Sequence, residues 1–344
     1  MIQSKVPSRR KGFLREGERD ALLLAQPPVL VAVLSQFLFD VNAGDILQNS
    51  ELVVAAVAAV DPSNLIHRLK ASEVRSTWNL ALMLNLSSAV VLTTVAVVIL
   101  WRSVSVRGVR LLVPLGVCLV VLGLGWLAYA AQTGRPIGGI FVSTYASLMA
   151  SPLYDSSFAS SVHLQVNLLN VFSILTPVAA LMAACSTVAP PKEGGIGDMA
   201  FLGSQVRYLR ALMILGSCYM VSGVLHMAIW LGWPASLVMD AKLADVLLRQ
   251  AMAITLFWGG GATVLIAAFY APALIVLSKR AKMVLECSGD GMSTKDAATF
   301  LEEHGLSLSF SKQLPEFMVV IAPLLAGPMG SGLASLAGVL PTSG

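Results

Sequence analysis

The sequence predicts an all-α, polytopic transmembrane bundle with six spans. Three observations predict it. The apolar residues gather in six blocks of about 19 to 27 residues, enough to cross a hydrocarbon core of about 30 Å as helices. Charged residues make up 12% of the chain, about half of what covers a soluble globule in water. The Lys and Arg residues alternate in density from loop to loop with one sign throughout.

The first block, 21–39, follows a polar leader with six basic residues, Lys5, Arg9, Arg10, Lys11, Arg15 and Arg19. Val41-Asn42-Ala43 resembles a signal-peptide cleavage site. However, the leader also carries Glu16, Glu18 and Asp20, and the apolar run exceeds the usual 7–15 residues, so an uncleaved anchor is the preferred reading. Pro27 and Pro28 predict a kink within it. The remaining spans are 80–100, 109–131, 164–185, 209–231 and 251–277, with Pro177 inside the fourth.

Orientation follows from the basic residues. The N-terminus, the turn with Arg102, Arg107 and Arg110, the stretch with Lys192, Arg207 and Arg210, and the tail with Lys279, Arg280, Lys282, Lys295 and Lys312 share one side. Those positions hold 17 of the 23 Lys and Arg residues, and the opposite side holds six: Arg68, Lys70, Arg75, Arg135, Lys242 and Arg249. The rule that cytoplasmic loops are basic puts the N-terminus inside, in a bacterial inner membrane. Trp78, Trp126, Tyr129, Trp230 and Trp233 fall near the predicted outer ends, and Trp101 and Tyr208 near the inner ones.

The chain therefore divides into a basic N-terminus (1–20), a bundle (21–281) with external segments 40–79 and 132–163, and a tail (282–344). In the first external segment, Ser50-Glu51 before Leu52 to Val60 reads as a short helix. Asp61-Pro62 reads as the start of another, with Asp as N-cap and an apolar face of Leu65, Ile66 and Leu69. Both are expected to rest on the membrane surface. The Gly, Ser and Pro content of the second segment, including Gly138-Gly139 and Ser151-Pro152, argues against regular structure. Pro190-Pro191-Lys192-Glu193-Gly194-Gly195 reads as a linker. In the tail, Ser293 caps a short helix that Gly305 ends. The apolar, Gly- and Pro-rich stretch 317–340 reads either as a re-entrant segment or as a seventh span.

Polar residues inside spans are the best pointers to a site. His163, Asn167 and Asn170 lie at i, i+4, i+7 and share one helix face. Asn85, His226 and Arg249, with Asp245 and Gln250 beside the last, fall at similar depth in the outer half. Two readings follow: a polar pocket open to the outside, or helix ends that are polar because they meet water. His163 and His226 are the one pair that could hold a haem b. No third ligand accompanies them for zinc, so no metal is expected. No GxSxG, HExxH or phosphate-loop pattern is present. Cys118, Cys185, Cys218 and Cys287 form no CxxC pair and read as small apolar residues. Gly259-Gly260-Gly261 predicts either close helix packing or a hinge. Gly216 and Gly223 offer a matching smooth face.

These features exclude nucleic-acid binding, since no basic, aromatic-lined groove appears, and they name no reaction. The expected function is a non-catalytic scaffold, sensor or partner subunit in the lipid bilayer, with a membrane-protein partner or a second copy. The alternative is a small-solute transporter or channel using the outer pocket.

Overall fold

The computed structural model describes residues 16–42, 50–103, 106–133, 135–190, 199–287 and 318–326. They form ten helices and, among the described residues, no strand: α1 (Glu16–Leu24), α2 (Gln26–Asn42), α3 (Ser50–Ala58), α4 (Leu65–Ser103), α5 (Val106–Thr133), α6 (Pro136–Ala150), α7 (Ser156–Thr187), α8 (Met199–Leu237), α9 (Ala241–Cys287) and α10 (318–326). Six helical stretches are long and apolar enough to cross a membrane, and each contains one of the six expected spans. The chain is an all-α integral membrane bundle.

The prolines act where their chemistry allows. The expected kink in the first span is a break at Ala25, ahead of Pro27 and Pro28. Both prolines then sit in the first turn of α2, where a missing N–H removes no intrahelical bond. The helix expected to start at Asp61-Pro62 starts three residues later. Asp61 is occupied by its own turn, accepting from Ser63 N and Ser63 Oγ at 2.8 Å, and Asn64 receives the Ile66 N–H at 2.9 Å instead. From Leu65 the chain runs without interruption into the second span, so α4 is 39 residues and about 58 Å long. It is not a separate surface helix, and Leu65, Ile66 and Leu69 are exposed on its first two turns. Helix α3 is present after Ser50 as expected, but it is seated on α6, with Val57 buried.

The irregular second segment expected from 132–163 is corrected by α6, an apolar 15-residue helix with Pro136 in its first turn. Gly138 makes it possible. A Cβ there would stand 2.8 Å from the carbonyl oxygen of Ala130, so only glycine lets α6 fold back onto the end of α5. The composition that argued against regular structure is what this close return requires. Of the tail, the Ser293–Gly305 helix lies outside the described residues, as do residues 191–195 of the linker.

α8 packs along both α4 and α9, and α7 lies against α4 and α5. One end of the bundle, the tryptophan end, buries Trp78, Trp230 and Trp233. The other, the arginine end, is tied by Arg280 of α9. Its buried guanidinium donates to the Val188 carbonyl after α7 and to the Asp20 carboxylate of α1 at 2.8 Å. A buried cation must be paired or it destabilises the fold, so this residue fixes where three helices meet.

Helix α9 continues through Gly259-Gly260-Gly261 without a break. A Cβ on Gly259 would lie 2.5 Å from the Pro323 carbonyl oxygen of α10, and one on Gly261 3.3 Å from Ser35 Oγ of α2. Ser217 of α8 also donates to the Val319 carbonyl. The first part of the ambiguous stretch 317–340 is thus a nine-residue helix seated against the middle of α8 and α9. The rest of that stretch lies outside the described residues. A Gly259→Ala change is expected to displace α10 and lower the thermal midpoint in detergent, since overpacking costs about 1–3 kcal/mol against at most about 1 kcal/mol of gained helix propensity. Gly125→Ala, where nothing lies within 4 Å of the added carbon, is the control and should be neutral or slightly stabilising. Equal midpoints for the two variants would contradict this docking.

Candidate functional site

The six polar candidates occupy three separate places. Asn85 and His226 are buried where α4 faces α8. The His226 ring lies 5.9 Å from that of Trp78, and Gly223 leaves the space beside Asn85, whose Nδ2 would be 3.8 Å from a Cβ there. One turn on from Asn85, Ser88 and Ser222 share a hydrogen bond of 2.8 Å across the same seam. Among the described residues, Asn85 Oδ1, His226 Nε2, Trp78 Nε1 and Trp230 Nε1 are buried without a hydrogen-bond partner.

His163, Asn167 and Asn170 keep the common face that their spacing predicts, but it does not turn toward that seam. His163 and Asn167 are exposed, and Asn170 is half-buried. The Asn167 amide donates to His163 Nδ1 at 3.2 Å, which leaves the ring proton on Nε2. The His163 ring sits 5.9 Å from Tyr145 of α6. Arg249 is a third case. It pairs with Asp245 one turn earlier, with both side chains more than half exposed. The two histidines therefore have different neighbours, Tyr145 for His163 and Trp78 for His226.

What fills the tryptophan end is aromatic. Trp78 stands 5.6 Å from Trp230 and 5.4 Å from Trp233, and the latter two meet edge to face at 6.1 Å. Tyr154 and Phe158 stack at 4.5 Å beside them, with the Arg75 guanidinium 4.8 Å from the Phe158 ring centre. Trp233 Nε1 donates to Tyr154 Oη at 2.9 Å. Burial pushes the Tyr154 phenol up to about 12, so it stays protonated. By position in the sequence, Trp78, Trp230 and Trp233 read as interface anchors at span ends. The signal for a buried cluster is the i, i+3 spacing of Trp230 and Trp233, which puts both rings on one face.

Two recesses in the bundle are lined by other residues than the polar candidates. One is small and apolar, between Leu22, Leu112 and Ala189. The other is an open groove between α3 and α6, bordered by Glu51, Ala55, Gly139 and Ser143. Among the described residues, no three His, Cys, Asp or Glu side chains gather where they could hold a metal ion.

Asp155 begins α7. Its carboxylate accepts the Phe158 N–H at 2.8 Å and the Ser157 hydroxyl at 2.9 Å, which hold it below the ordinary carboxyl range. A carboxyl with a lowered folded pKa stabilises fully above its unfolded value, and that stabilisation fades as pH falls through the folded value. Wild-type protein should therefore lose thermal stability on acidification below about pH 4, and Asp155→Asn, a neutral cap, should lose less. Equal slopes for the two would remove this linkage. Tyr154→Phe leaves the buried Trp233 N–H unpaired. It should cost about 1–3 kcal/mol in unfolding measurements, with no dependence on pH between about 6 and 9.

No family model, curated protein or solved structure matches this chain.

Proposed function

We propose that this chain is a non-catalytic membrane subunit that joins a partner protein laterally, through the exposed polar face of α7. The observation that carries it is the His163–Asn167 pair. These two side chains satisfy one another only in part and are exposed, beside exposed Leu164, Leu168 and Val171. Asn167 lies about 6 Å further along the helix than His163, and Asn170 about 10 Å. Polar groups at such a depth in a span are expensive in hydrocarbon, and interhelical hydrogen bonds are the usual way to satisfy them. A partner helix with a donor or acceptor at that level would do so.

The packing of the tryptophan end supports the same reading against a solute path. Where an opening between α4, α7 and α8 would begin, Trp78, Trp233 and Phe158 fill the space. In this proposal the arginine end is cytoplasmic, in keeping with the distribution of Lys and Arg, and the membrane is a bacterial inner membrane.

A photo-crosslinking residue at Leu168 tests the assembly. Irradiation of native membranes should give one discrete protein adduct, and Asn167→Leu combined with His163→Phe should reduce it several-fold while the thermal midpoint of the purified chain stays unchanged. Lipid adducts alone would sink the idea.

A further inference from the structure

Beyond the spans, the tryptophan end brings together one imidazole and one thioether. His67 lies in the first turn of α4, and Met239 lies in the turn that joins α8 to α9. The two are 172 residues apart in sequence and in contact in the fold. Along α4, His67 stands about 20 Å before Leu80, where the apolar run begins, so the pair sits outside the hydrocarbon. The His67 ring is buried, at 7% exposure, while Met239 is 67% exposed.

The two ring nitrogens face unlike partners. Nδ1 lies 3.1 Å from the Asp61 carbonyl oxygen, and Nε2 touches Met239 Sδ. A carbonyl oxygen only accepts, so the first contact is a hydrogen bond when Nδ1 carries the proton. A neutral imidazole has one N–H, and a carbonyl oxygen accepts it better than a thioether does. Nε2 is then left with a lone pair directed at a sulfur that offers only lone pairs of its own. Two electron-pair donors gain nothing from each other, and both bind an electron acceptor.

We propose that His67 Nε2 and Met239 Sδ form a site for a soft monovalent cation, Cu(I), for which Ag(I) is the redox-inert probe. A backbone carbonyl on the far nitrogen is the usual outer partner of a metal-binding imidazole, because it fixes the tautomer and aims the lone pair. Thioether sulfur selects soft ions, whereas Mg(II) and Ca(II) take oxygen donors. A structural zinc site needs four ligands, with thiolate, imidazole or carboxylate among them, and this pair supplies one of those. Neither donor is charged, which suits a monovalent ion better than a divalent one. The two atoms must part to admit the ion. Met239 can allow this, since its side chain is exposed and has three rotatable bonds, while the buried ring stays in place. The same exposure leaves the ion open to water on one side, so it can enter and leave. The site owes nothing to the α7 face and stands or falls apart from the lateral partner.

The test uses the purified full chain with its four native cysteines changed to alanine, which removes competing thiols. Its methionine methyl groups are labelled with carbon-13, and Ag(I) is added at neutral pH. One equivalent should shift the Met239 resonance, which is identified by its loss in Met239→Leu. His67→Phe should abolish that shift, and one equivalent of Zn(II) should leave it where it was. In calorimetry, Met239→Leu should weaken Ag(I) binding at least about tenfold, while Met83→Leu, at an exposed methionine within the span of α4, should change nothing. Met239 is exposed, so its leucine variant keeps the fold and reads the site even where His67→Phe fails to fold. A ring protonated on both nitrogens fits the same two contacts without a metal. It has no lone pair and would leave the Met239 resonance unmoved, which overturns the site. An Ag(I) affinity equal in Met239→Leu and its parent, or a shift that persists in folded His67→Phe, would overturn it as well.

Discussion

Hydrocarbon offers no hydrogen-bond partner, and most of this structure is a response to that fact. Every backbone N–H and C=O in a span must be satisfied by the protein itself, which leaves the α-helix as the element for a chain of this pattern. The same demand reaches the side chains. Thr255 Oγ1 returns its proton to the Ala251 carbonyl of its own helix at 2.8 Å, and Ser186 and Thr187 do likewise to Ala183 and Ala184. Where hydroxyls face another helix they pair across it, as Ser88 does with Ser222, Thr93 with Thr176 at 3.1 Å, and Tyr219 with the Phe172 carbonyl at 3.2 Å. Prolines inside α5, α7, α8 and α9 are the departures, at Pro114, Pro177, Pro234 and Pro272. Each removes one donor from a long helix, and each helix continues through it.

Once hydrogen bonds are settled within helices, association must come from close contact, because lipid chains are as apolar as leucine. The glycines mark where contact is closest. A Cβ on Gly123 would lie 2.7 Å from Ile174, and one on Gly116 3.0 Å from Met182, so α5 meets α7 along a glycine surface with a seven-residue repeat. The consecutive glycines of α9 serve two neighbours at once, Gly259 admitting α10 and Gly261 admitting α2. A helix with larger residues at these positions would keep its backbone bonds and lose its partners. Arg280 adds a strong directional tie, and it works because both of its acceptors, Asp20 and Val188, come from other segments.

The spans were legible in the sequence because length and hydropathy are properties of one segment. Local chemistry was legible where it stayed local: the short helix after Ser50 is present as α3. Two things were not. Helix α6 was hidden because its glycines and serines look like loop residues until the end of α5 is placed beside Gly138. The direction of each polar face was hidden as well. Spacing correctly puts His163, Asn167 and Asn170 on one side of α7, but which way that side turns depends on where the neighbouring helices stand. Asn85 and His226 share a depth with them, and depth alone suggested a single pocket. Depth is one coordinate, and a site needs the other two.

The contrast between Asn85 and Asn167 shows how much that missing information matters. The two residues have the same side chain, and each lies within about 8 Å of the outer start of its apolar run. Asn85 is placed by α8, beside the opening that Gly223 leaves, and its amide belongs to the interior seam with Ser88, Ser222 and His226. Asn167 is held by His163, a residue of its own helix, and is otherwise exposed. Packing the helices together fixes what stands beside the interior amide, although its Oδ1 is buried there without a hydrogen-bond partner. An amide on the outside of a span has no such account within one copy. Its cost in hydrocarbon is recovered only if something polar stands opposite. The bond to His163 lowers that cost but cannot remove it, since it engages only one hydrogen of the amide. A residue that is half satisfied by its own helix and oriented by that bond differs from one that simply meets headgroups at a helix end, and it is this orientation that gives the outer side of α7 a shape another helix can match.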